Sequence, residues 1–170
     1  MKISMYQMTV PVFVRFLNNL NAILKTGEDF AKAREIDPEV LLNSRLAPDM
    51  FPLSRQIQIA CDLAKRCVER LAGLDIVSVE DNEKTFAQFH ERINHTIAFL
   101  ETIEPEQLDN SEEKKITLKL RDASHEFKGI NLALYFSLPN VYFHVTTAYN
   151  ILRHNGVELG KKDFIGDLPV

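Results

Sequence analysis

The chain holds 170 residues, 45% of them hydrophobic and 26% charged, with a formal net charge of −4 and a pI near 5.7. That length suits a single domain over residues 1–170, and a fold removing about 70% of the unfolded surface from water needs no metal or disulfide staple. The acidic balance excludes nucleic acid and an anionic membrane as expected partners, and no stretch approaches the ~18 uninterrupted apolar residues of a membrane span.

The N-terminal stretch MKISMYQMTVPVFVRF has an apolar run broken by Gln7, Pro11 and Arg15 and no small-residue cleavage site, so it does not read as a secretory signal. A cytoplasmic protein is the expectation. Helical periodicity runs from about Met5 to Lys25. Because proline is tolerated only in a first turn, Pro11 predicts a start near Thr9 or a kink. Gly27 to Glu35 reads as a short second helix, with no glycine interrupting a strong helical pattern. Residues 36–51, which contain Pro38 and Pro48, read as a loop with at most one helical turn.

The second long helix is predicted from Pro52 to Ala72, with Gly73 as its stop. It carries both cysteines, Cys61 and Cys67, at a spacing that fits neither a zinc motif nor a disulfide within one helix, so both read as free thiols. The third runs from Asn82 to Ile103 and ends at Glu104-Pro105. Between Lys115 and Gly129 the period changes. Ile116, Leu118 and Leu120 alternate with polar residues, a half-buried strand that Asp122-Ala123-Ser124 could return as a hairpin. Ile130 to Phe136 looks helical, Leu138 to Asn155 is the fourth long helix, and the tail from Val157 reads as loop. The fold class is therefore all-α, a four-helix bundle with a small β-hairpin between the third and fourth long helices.

At ~100° per residue each side chain can be placed against the apolar arc of its helix. Asn21 falls within the arc of the first helix and Gln56 within that of the second. His90 borders the arc of the third, while on the fourth His144 lies inside and Asn140 sits one turn earlier. His95 and His154 point outward. Asp62 falls opposite the apolar arc, where Arg66 can pair with it, and so reads as a surface or interface residue. Buried amides and imidazoles need partners, so Asn21, Gln56, His90, Asn140 and His144 either fix the register of the bundle or line a pocket between helices. Three His, Cys or carboxylate ligands for zinc or nickel are not visible, nor is a nucleophile elbow, a phosphate-binding glycine loop or a His-Glu-x-x-His helix.

Two stretches carry a family resemblance: RLAPDMFPLSRQIQIACDLAK (residues 45–65) and LPNVYFHVTTAYNILRHNGVELGKKDF (residues 138–164). Together they resemble a bacterial family of unknown function within the DinB/YfiT-like superfamily, over nearly the whole chain. The resemblance implies a four-helix bundle, often a homodimer, with a three-histidine divalent-metal site in many members and thiol-dependent transferase or isomerase activity in some. Counting back from Leu152, Arg153 and Gly156 places two of the metal-binding positions on Asn140 and His144. Only His144 matches, and the second helix offers no histidine.

The expectation is a DinB-like protein that binds a small molecule near His144, with a degenerate metal site and no cofactor; His144 is the one candidate ligand should zinc or nickel bind. The alternatives are a metal-dependent, thiol-dependent transferase using His144 and His90, and a non-catalytic homodimer joined through Asp62, Phe99, Phe143, Phe164 and Ile165. Whether the protein is an enzyme stays open at this point.

Overall fold

A computed structural model, describing residues 3–120 and 123–168, starts its first helix at Ser4. The Ser4 hydroxyl accepts from the Gln7 N–H and the Gln7 side chain accepts from the Ser4 N–H, both at 3.1 Å, a reciprocal cap for helix α1 (Met5–Ala33). The helix runs through Pro11 and Gly27, so it neither starts near Thr9 nor gives way to a second helix at Gly27 as expected. Pro11 removes the donor for the Gln7 carbonyl, but both residues are exposed and water can serve that oxygen. Gly27 is kept by packing: a Cβ there would stand 2.9 Å from Cδ2 of Leu152 on the last long helix. The expected separate helix over 27–35 is therefore the end of α1.

Helix α2 (Pro38–Leu42) is the single turn expected in the following loop, capped by Asp37. Helix α3 (Leu53–Ala72) begins after Pro52 and stops at Gly73, whose φ of 74° is left-handed. Helix α4 (Phe86–Glu101) is shorter than the periodicity suggested, because Thr85 and Gln88 form a second reciprocal cap. The hairpin pairs β1 (Lys115–Leu120) antiparallel with β2 (Ala123–Lys128), from Lys115 opposite Lys128 to Leu120 opposite Ala123. Asp122, one of the expected turn residues, lies outside the described residues. Ile116 and Leu118 are buried, which supplies the packing an isolated ribbon lacks.

After α5 (Gly129–Asn131) the chain widens into a π-helical turn, Leu132–Ser137, before α6 (Leu138–His154). Pro139 accounts for it: its ring crowds the preceding turn and it has no N–H to donate, so the turn opens ahead of it. The tail is not all loop. Helix α7 (Lys161–Ile165) folds back on α1, where Arg15 donates to the Ile165 carbonyl at 2.8 Å, Asn19 donates to the Phe164 carbonyl at 2.9 Å, and the Phe16 and Phe164 rings meet at 5.4 Å.

The four long helices close a ring in which α1 and α3 each pack against both α4 and α6. Phe13, Leu17, Ile57, Phe89, Ile93 and Val145 are fully buried between them. The α1/α4 and α3/α6 seams consequently lie on opposite sides of the bundle. Among the described residues, no helix is long and apolar enough to cross a membrane.

Candidate functional site

The five inward polar residues divide between those two seams. Asn21 and His90 meet in the α1/α4 seam, where the His90 Nδ1 is hydrogen-bonded to the Asn21 side-chain oxygen and the Asn21 amide donates to Asn94 at 3.0 Å. This pair borders an open surface cleft with Lys25 and Glu28. Gln56, Asn140 and His144 belong to the α3/α6 seam. The structure does not bring all five to one pocket, because a wheel reports depth on each helix but not which neighbour that face meets.

In the second seam hydrogen-bond donors are fixed one after another. The Gln56 Nε2 donates to the Phe51 carbonyl at 3.0 Å, and a carbonyl can only accept, so the amide orientation follows. Its Oε1 therefore faces the His144 Nδ1, 2.6 Å away, and that nitrogen must carry the proton. In the neutral ring the lone pair is then left on Nε2, for which no hydrogen bond forms among the described residues. His144 is 8% exposed. Burial, with a smaller contribution from the nearby Arg55 cation, pushes its pKa down to about 4, so the ring is neutral near pH 7. Phe143 stands edge-on to it, with ring centroids 5.2 Å apart.

Asn140 lies one turn before His144, and its Nδ2 donates at 2.6 Å to the Phe136 carbonyl in the π-helical turn. Its Oδ1 remains an acceptor on the helix flank that carries the imidazole. A cleft of about 810 Å³ runs along the outer flank of α3 beneath β1, with Phe51, Arg55 and Phe136 among its walls. Phe51 holds Gln56, Arg55 lies near His144 and Phe136 holds Asn140, so the seam adjoins the cleft.

The donor set does not fit zinc or nickel. One imidazole nitrogen is available, the other positions are neutral amides, and the Gln56 oxygen is already taken. Among the described residues no group of three His, Cys, Asp or Glu is placed to hold an ion. The thiols offer no nucleophile. Cys61 and Cys67 are buried and free, with pKa values pushed by burial up to about 12 and about 11.

Asp62 corrects the reading of α3. It pairs with Arg66 at 2.9 Å, as its spacing suggested, but it also accepts from Arg92 at 2.8 Å and is 17% exposed. Arg92 is 3% exposed and reaches Asp81 at 3.0 Å and Glu83 at 2.7 Å as well. The Glu83 carboxylate accepts from Gln58 at 2.9 Å, and Arg55 pairs with Asp81. This ion cluster clamps residues 80–83 to α3 and α4. Helical placement does not find this cluster, because Arg92 stands beside Phe89 and Ile93 as one more polar residue; the acidic run Glu80-Asp81-Asn82-Glu83 is the available signal.

A family model described as "Domain of unknown function (DUF1993)" matches residues 5–165. The crystal structure of a DinB family member protein from Shewanella denitrificans is similar at 44% sequence identity, with a TM-score of 0.91 over 97% of this chain and 93% of that one. No curated protein matches.

Proposed function

The chain belongs to the DUF1993 family, within the DinB-like superfamily, and from that premise we propose that it binds a small organic molecule at the α3/α6 seam, with the His144 Nε2 as acceptor or base. One observation carries this reading: the relay from the Phe51 carbonyl through Gln56 to the His144 Nδ1, which leaves a neutral ring with its second nitrogen uncommitted. The ring is buried as a whole, yet its Nε2 makes no hydrogen bond among the described residues and is left to accept from a ligand. Asn140, anchored through Phe136, adds an acceptor beside it. Gln56 acts as a positioning residue, fixing the tautomer as a carbonyl does behind a metal-bound histidine, here without the metal.

Thermal melting of the full chain against millimolar cysteine, glutathione, simple amino acids and sugar phosphates tests the proposal. At least one compound should raise the melting temperature of the wild type and lose that effect in His144→Gln. A set in which no compound's shift depends on His144 would contradict it.

A second copy of the chain is the partner favoured by one observation. Phe51, Tyr135 and Phe143 are 56%, 76% and 56% exposed, and all three stand on the segments that frame this seam. A homodimer would cover them. Of the interface residues named from sequence, Phe143 is free to join such a contact, whereas Asp62 is committed to Arg92 and Phe164 to Phe16. The donor set gives the metal-dependent transferase reading no comparable support.

A further inference from the structure

The cleft along α3 is cationic in a chain whose net charge is −4. Arg55, Arg66, Arg70 and Lys119 line it, with Asp62 as the acidic counterweight. Arg55 is held by Asp81 and Arg66 by Asp62 at 2.9 Å. Arg70 and Lys119 have no carboxylate partner among the described residues. The Arg70 guanidinium is half-buried, donates to the Arg66 backbone carbonyl at 3.1 Å, and is held below its usual pKa by burial and by repulsion from Arg66. A cation in that position destabilises its surroundings until an anion arrives, and the planar fork of arginine suits carboxylate and phosphate oxygens. The same walls carry Ile59, Leu63 and Leu118, so the space accepts an apolar body as well.

We propose that this cleft binds an organic anion, a carboxylate or phosphate ester with an apolar portion, whose charged group is taken by Arg70 with Lys119 lining the same space. Arg70 lies fifteen residues beyond Arg55 on α3, about 22 Å along the axis, so this anion subsite is separate from the imidazole. The proposal goes beyond the small-molecule reading above and does not depend on the imidazole.

Inorganic pyrophosphate and citrate, each titrated against sodium chloride at matched ionic strength, separate the phosphate from the carboxylate source. Either anion should raise the melting temperature of the wild type. In Arg70→Met its affinity should fall by about tenfold or more. Arg70→Met should itself melt no lower than the wild type, because it removes a repelled cation and keeps the apolar stem. His144→Gln should retain the anion-dependent shift, so loss of the imidazole reading and loss of this one are told apart. Shifts no larger than those of chloride, or an undiminished response in Arg70→Met, would overturn the proposal.

Discussion

Arg92→Ala should destabilise the protein by about 3–5 kcal/mol, lowering its melting temperature by roughly 10 °C. The size follows from what is left behind. Asp62, Asp81 and Glu83 converge within 3.0 Å of a guanidinium that is 3% exposed, and the Glu83 side chain is 8% exposed. Removing the cation strands carboxylates that cannot all return to water. Arg92→Lys should recover part of the loss, since one ammonium keeps the charge but cannot fork between partners on α3 and on residues 80–83. Urea unfolding of the three proteins measures this. A loss below about 1 kcal/mol in Arg92→Ala would place the cluster among solvated surface pairs.

Gln56→Leu should cost about 2 kcal/mol, because it leaves the buried Nδ1–H of His144 and the Phe51 carbonyl without their partner. Gln56→Glu separates that loss from a simple packing defect. A carboxylate still accepts from Nδ1, and its negative charge raises the pKa of His144 from its depressed value, so the ring becomes a cation over part of the range where the wild type is neutral. Equal stability of wild type and Gln56→Leu would mean that the amide relay does not hold the ring.

Much of this architecture was legible because helix periodicity and end signals agree. Gly73 stops α3 where a left-handed residue is required, and alternation in Ile116-Thr117-Leu118 marks the hairpin strand. The differences arose where a tertiary contact overrides a local rule. Pro11 is tolerated because it and Gln7, whose carbonyl loses its donor, are exposed, Gly27 serves a close approach to Leu152, and α7 forms on hydrogen bonds from Arg15 and Asn19 across some 150 residues of sequence. Within the candidate site, the depth of Gln56 and His144 could be read from one helix at a time. Their pairing, and the separation of Asn21 and His90 into another seam, depend on which helices are neighbours. The Arg92 cluster is further from reach, since half of it lies on residues 80–83, which follow no period at all.

The open, unprotonated Nε2 of a neutral His144 is the claim on which the functional reading stands. Nitrogen-detected NMR of the imidazole, followed from pH 8 down to the acid limit of folding, tests it most directly. A proton on Nδ1, none on Nε2, and titration near the depressed value of about 4 are the expected results. A ring protonated on Nε2 at neutral pH, or one titrating at the ordinary value near ~6.5, would contradict it.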